Sequence, residues 1–202
     1  MKRFLYIIPI IFAATTLYAQ QTQEIKPALL IVDIQYFYFP TATAPGLDGA
    51  VEAAAAASEV LRIFRSSSLP VIHIKHDAAQ GADIYPDVLP VDGEKVITKK
   101  SVNSFLNTDL SEYLKGKGIN RLIIIGMQTH MCLEAAVRAA ADSGFDCIVV
   151  SNACATRDLK FGETIVKAAD VQASTFESLV YGRYAKIVTL TEFKSATEKY
   201  LK

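Results

Sequence analysis

Tryptophan is absent from this 202-residue chain, and cysteine occurs only three times, at Cys132, Cys147 and Cys154. There is no CxxC pair and no ladder of Cys and His, so the sequence offers no structural zinc site. Neither sign of charge is in excess: 21 basic residues balance 21 acidic ones, and no run or helical face is strongly basic. That argues against nucleic acid as a partner, because phosphate binding needs concentrated positive charge. Repeats, low-complexity tracts and Pro/Gly linkers are also missing. A Gly-rich phosphate loop is missing too: the first apolar run is followed by Gln35-Tyr36-Phe37-Tyr38, which disfavours a nucleotide-binding domain.

The chain does carry an unusual beginning. Met1-Lys2-Arg3 is positive, Phe4 to Leu17 is almost wholly apolar or small, and Ala19 precedes Gln20. A charged start, an apolar core and a small residue at the cut describe a secretory signal peptide over 1–19. The alternative is an uncleaved anchor, but the apolar run is shorter than the ~18 to 20 residues a spanning helix needs. The expected mature protein is therefore exported, periplasmic or secreted, with no stable membrane insertion. Residues 20–26 are polar and read as a disordered lead-in, and 27–202 as one domain. In an oxidising compartment spare thiols tend to pair. Three is an odd number, so one thiol stays free or pairs between chains; Cys147 and Cys154, near one strand, are candidates for a disulfide.

Short apolar runs rich in branched residues recur at 28–34, 69–75, 95–99, 121–126, 147–151 and 185–190. Continuous runs of this length suit strands buried on both faces, as in a parallel sheet. Helical patterns lie between them. One spans 48–66, with Asp48 as its cap; others span 107–115 and 131–143. A stretch over 161–181 reads as helical in one piece or two, and 191–201 closes the chain. Strand alternating with helix predicts an α/β fold, a three-layer doubly wound sandwich around a mainly parallel six-stranded sheet. The segment 77–93, with Gly81, Pro86, Pro90 and Gly93, reads as an irregular loop, a class of segment that is often functional.

In such sheets ligands bind beyond the carboxyl ends of the strands. The first strand ends at Asp33, the third at Lys99-Lys100, and the fourth runs through Gly126 to Cys132 as a helix begins. An acid, an amine and a thiol thus share one sheet edge. A helix start and a neighbouring ammonium both favour the thiolate. The acid can take the thiol proton and later deliver it to a leaving amine. Backbone N–H groups beside the thiol can hold an oxyanion. Each residue also has a plainer reading: Asp33 as a turn cap, Lys99 as a solvated strand end, Cys132 as a small buried hydrophobe. The joint placement is what favours catalysis. Tyr36 to Phe39 either wall a pocket or pack helix against sheet.

At these residues the sequence resembles the isochorismatase-like cysteine hydrolases, a superfamily that includes nicotinamidases and carbamoylsarcosine amidases. The matching segments are ALLIVDIQ (28–35), VITKKSVNSF (96–105) and GMQTHMCLEAAVRAAADSGFDCIVVSNACATRD (126–158). The resemblance implies Cys132 as nucleophile, Asp33 as acid–base carboxylate and Lys99, rather than Lys100, as the catalytic lysine. It implies a cis peptide at Met127–Gln128 with the N–H of Gln128 turned toward the oxyanion, beside that of Cys132. Gln35, Phe37, Phe39 and His130 are expected in the substrate pocket. Nicotinamidases hold a metal with an Asp-x-His and a further His. Here His73-Ile74-Lys75-His76-Asp77 departs from that pattern, so no metal and no cofactor are expected, although His76 and Asp77 could touch one. The histidines otherwise read as pocket or surface groups. The thiol argues against the vinyl-ether chemistry of true isochorismatases. The activity implied is hydrolysis of a C–N bond in a small molecule, amide or ureide-like, through a thioester, by a homo-oligomer. The competing expectation is an inactive member of the fold that binds a small molecule or protein.

Overall fold

The computed structural model describes residues 24–202. The signal segment 1–19 and residues 20–23 of the lead-in lie outside them. Among the described residues eight strands are formed: β1 (Pro27–Val32), β2 (Val71–His76), β3 (Lys95–Lys99), β4 (Arg121–Met127), β5 (Asp146–Ala155), β6 (Leu159–Phe161), β7 (Thr164–Val166) and β8 (Lys186–Val188). Six α-helices accompany them: α1 (Ala50–Ser66), α2 (Leu110–Gly116), α3 (Glu134–Asp142), α4 (Ala168–Tyr181), α5 (Leu190–Ser195) and α6 (Thr197–Leu201). The main sheet has the order β3-β2-β1-β4-β5-β8, with every neighbouring pair parallel. No described helix is long and apolar enough to cross a membrane.

The three layers follow from the pleat. Successive side chains of a strand point to opposite faces, so a strand buried on both faces feeds two cores. Along β1, Leu29 and Ile31 join one core with α1, α5 and α6, whereas Ala28, Leu30 and Val32 join the other with α2, α3 and α4. Both faces are apolar, hence the unbroken run in the sequence. Burying each such Leu or Ile contributes about 1.5–3 kcal/mol.

The sheet order reverses between β1 and β4, the place where parallel sheets open a crevice at their carboxyl ends. Here the two strands approach so closely that a Cβ on Gly126 would lie 1.9 Å from the Val32 carbonyl oxygen. Gly126 also has φ 134, a conformation L side chains rarely adopt. This glycine lets the ends of β1 and β4, and the residues that follow them, meet.

Several local expectations are corrected. Asp48 does not cap α1; Gly49 does, at φ 69, and the Asp48 N–H pairs instead with the Thr156 carbonyl. The first part of 161–181 is not helical. β6 and β7 form an antiparallel hairpin about Gly162 (φ 58), and α4 begins only at Ala168. The β-branched Thr164, Ile165 and Val166 suit extended backbone better than helix. The last helix is divided at Ala196 into α5 and α6. The described end of the lead-in is tied down: Asn120 accepts from Lys26 N–H and donates to the Glu24 carbonyl.

Candidate active site

Four neighbouring strands, β3, β2, β1 and β4, each deliver one group to the same edge. Asp33 is the first residue past β1, and its φ of 50 swings the chain out of the strand line. Such a left-handed conformation is uncommon outside glycine, and Asp is among the residues that tolerate it best. Lys99 ends β3, in register with His76 at the end of β2. After β4 the Met127–Gln128 peptide is cis, and Thr129–Leu133 forms a π-helical turn that carries Cys132 and leads into α3.

The Lys99 ammonium joins these groups. Its Nζ lies 2.7 Å from Asp33 Oδ2, 3.2 Å from Cys132 Sγ, 3.2 Å from His76 Nδ1 and 3.1 Å from the Ser101 carbonyl oxygen. The contact with Asp33 is a close ion pair, but its angle falls outside hydrogen-bonding geometry. Asp33 and Lys99 are buried, and Cys132 keeps 4% of its surface exposed. Lys100, by contrast, is 86% exposed at its side chain and stands 3.9 Å from Asp77, which identifies Lys99 as the lysine of the cluster.

Burial dominates the electrostatics. It raises the Asp33 carboxyl above the usual range, and the ammonium of Lys99 offsets only part of that rise. The Cys132 thiol is pushed up to about 12 by burial and by the adjacent Asp33 charge, again only partly opposed by Lys99. The helix start and the ammonium therefore do not win at rest, contrary to the sequence expectation: Cys132 is a thiol, beside a carboxylate made more basic than an exposed one.

The Gln128 carbonyl accepts the N–H groups of Met131 and Leu133, on either side of Cys132, and passes over that of Cys132 itself. Gln128 is 6% exposed, and its side-chain oxygen accepts from Arg157 Nε at 2.9 Å. Tyr38 is also buried; burial first, then the charges of Cys132 and Asp33, raise its hydroxyl to about 12.

The expected pocket residues divide. Gln35 acts as a tie between elements. It is fully buried; its amide donates to the His76 and Ala82 carbonyls and accepts the His76 N–H, tying the ends of β1 and β2 to the loop after β2. Phe37 and Phe39 line a separate cavity of about 640 Å³ with Tyr36, Gln80, Gly81 and Tyr85, and none of Asp33, Lys99 or Cys132 borders it. His130 is half-buried, with Nδ1 2.6 Å from Thr156 Oγ1; burial and then Arg157 lower its pKa. His73 is neither a pocket nor a surface group: it is buried, its Nε2 2.8 Å from Glu94. All three cysteines are free and buried, so Cys147 and Cys154 are not bridged.

Two contributors escaped the sequence reading: His76 as a partner of Lys99, and Arg157 as the donor to the Gln128 side chain. The register of β2 against β3 was the available signal for His76. Asp33, His76 and Cys132 bring ligand-type atoms within 4.8 Å of one another, a grouping able to hold a metal ion. The Lys99 ammonium already contacts all three, so a divalent ion there would have to displace a cation. Asp77 instead lies beside Lys100.

The sequence model of the Isochorismatase domain matches residues 27–177. An uncharacterized isochorismatase family protein of Bacillus subtilis, YddQ, is 37% identical over 177 residues, 82% of this chain and 97% of its own. Maleamate amidohydrolase of Pseudomonas putida is 27% identical over 186 residues, 73% of this chain and 86% of that one. Among solved structures, an isochorismatase from Pseudomonas putida superimposes with a TM-score of 0.77 at 31% identity, covering 83% of this chain and 89% of that one. Sequence and fold agree over the stretch that carries all four strand-end groups: the chain belongs to the isochorismatase family, an isochorismatase-like hydrolase.

Proposed function

We propose that this protein is a cysteine-dependent amidohydrolase that cleaves a C–N bond of a small molecule through a thioester on Cys132. The observation that carries this reading is the buried ammonium of Lys99 in simultaneous contact with Asp33 and Cys132. At rest the proton sits on sulfur. When a carbonyl approaches, Asp33 takes that proton and the S–C bond forms. Lys99 stabilises whichever partner is negative, so charge moves between the two without leaving its contact. Backbone N–H groups of Gln128 and Cys132 receive the oxyanion. The C–N bond then breaks as Asp33 gives its proton to the departing nitrogen. Water, deprotonated by Asp33, attacks the thioester; the acid is released and the proton returns to sulfur.

A panel of amides, ureides and lactams, assayed with wild type and Cys132→Ala, tests the reading. Hydrolysis should fall to background in the variant. Rapid quenching of the wild type should reveal a mass increase equal to the acyl group on the peptide containing Cys132. Turnover that survives in Cys132→Ala would refute it.

A further inference from the structure

His76 is the one strand-end group to which the chemistry above gives no task. It closes β2, in register with Lys99 at the end of β3. Its backbone is held independently of its ring: the N–H donates to Gln35 Oε1, and the carbonyl accepts from Gln35 Nε2. The side chain is half-buried, with Nδ1 3.2 Å from Lys99 Nζ. Facing an ammonium, which offers only donors, Nδ1 can only accept, and the ring hydrogen then belongs on Nε2.

The hydrogens of Lys99 explain why this contact matters. An ammonium has three N–H donors. Three acceptors meet Nζ in hydrogen-bonding geometry: the Ser101 carbonyl oxygen, Cys132 Sγ and His76 Nδ1. The donors are thereby all used. Asp33 Oδ2 is nearer, at 2.7 Å, yet receives none of them, and neither Asp33 oxygen has a hydrogen-bond partner among the described residues. Asp33 therefore feels the charge of Lys99 without being capped by its hydrogens. For a base the distinction is large, because a hydrogen bond to a carboxylate favours the charged form and weakens its hold on a proton. The thiol to be deprotonated is pushed up to about 12, so a weakened carboxylate would serve it poorly.

We propose that His76 is a positioning residue: by accepting the third hydrogen of Lys99 at Nδ1, it keeps that hydrogen off Asp33 and so preserves the carboxylate as the base for Cys132. Without this acceptor the freed N–H has Asp33 Oδ2 2.7 Å away and turns to it. The ion pair becomes a hydrogen-bonded pair, and Asp33 becomes a weaker base. This rests on the reading of Cys132 as nucleophile and Asp33 as its base.

The test follows alkylation of Cys132 by iodoacetamide, which requires no knowledge of the substrate. The S–C bond forms, the C–I bond breaks with loss of iodide, and Asp33 takes the thiol proton. Peptide mass analysis separates Cys132 from the buried Cys147 and Cys154. His76→Leu should slow labelling of Cys132 roughly 10- to 100-fold, part of what a general base supplies. His76→Asn should stay within about threefold of wild type, because its amide oxygen can accept at the place of Nδ1. His76→Gln puts its acceptor at the place of Nε2 and should behave as His76→Leu does. In an Asp33→Asn background, His76→Leu should change the rate by less than about threefold, since its effect runs through Asp33. On any amide or ureide that wild type hydrolyses, His76→Leu should lower kcat and leave KM within about threefold, with His76→Asn again close to wild type. Wild-type labelling in His76→Leu, equal losses in His76→Asn and His76→Leu, or a His76→Leu loss of the same size with and without Asp33 would each overturn the proposal while sparing the nucleophile. Labelling at the wild-type rate in Asp33→Asn would instead remove Asp33 as the base, and with it the reading on which the proposal stands.

Discussion

Replacing Lys99 by Met removes the ammonium and keeps most of the volume, leaving Asp33 as a carboxylate with no surface exposed to water. In the wild-type protein the pair is separated by 2.7 Å with both side chains at 0% exposure. Breaking a buried pair by deleting one partner costs about 3–5 kcal/mol, because the remaining charge is uncompensated. A domain of this size has about 5–15 kcal/mol in all. At about 2–4 °C per kcal/mol the melting temperature should fall by roughly 6–20 °C near pH 8. The deficit should depend on pH in a definite sense. Burial already raises the Asp33 carboxyl, and Lys99 is the largest influence lowering it. Without Lys99 the folded state holds the Asp33 proton still more tightly than the unfolded chain does. The variant's stability is therefore greatest below the unfolded carboxyl value and declines as pH rises through the folded one. The gap from wild type should be wider at pH 8 than at pH 5. Adding Asp33→Asn should restore much of the loss at pH 8, since an amide in that place carries no charge. Calorimetric unfolding of the three proteins at both pH values measures this. A double variant no more stable than Lys99→Met at pH 8 would refute the argument that an unpaired buried charge is the cause.

Two further outcomes follow from packing and ion pairing. Gly126→Ala should cost more than about 4 kcal/mol or abolish folding, because the new methyl meets the Val32 carbonyl in a backbone conformation L residues avoid; a normal urea midpoint would show that the β1–β4 contact can relax. Glu94→Gln should cost about 1.5–3 kcal/mol at pH 7, since Glu94 binds Arg65 bidentately, His73 and the Val91 N–H. Burial would raise the Glu94 carboxyl, but those partners hold it down to about 2 from 4.5, so its contribution is present at neutral pH and lost as pH falls from 4.5 toward 2. Urea midpoints of the two proteins should converge over that interval, and a gap of constant size would contradict it.

The strands were legible because a sheet buried on both faces demands unbroken apolar runs, as in Leu29–Val32 and Leu122–Ile125. The convergence of Asp33, Lys99 and Cys132 was legible through one rule, that function gathers at the carboxyl ends of parallel strands. What failed was local and short. The β6–β7 hairpin has strands of three residues, too brief for periodicity to show. Arg157 was hidden because the apolar run after Cys147 stops at Ser151, whereas β5 continues to Ala155 past an irregularity in its pairing with β4. Gln35 follows Asp33 closely and His76 ends a strand of its own, but their partners lie 41 and 23 residues away. The resting thiol was misjudged because burial, which no local motif records, outweighed the helix start.

One group per neighbouring strand has a mechanical consequence. The lateral spacing of the reacting atoms is inherited from the ladder itself, about 4.8 Å between strands. Loops and helices can diverge freely without altering that pitch. A one-residue slip of β3 against β2, however, would bring Thr98 or Lys100 opposite His76 and turn the Lys99 side chain to the opposite layer. The sheet thus serves as the ruler of the reaction, and errors in pairing its edge strand are errors in chemistry.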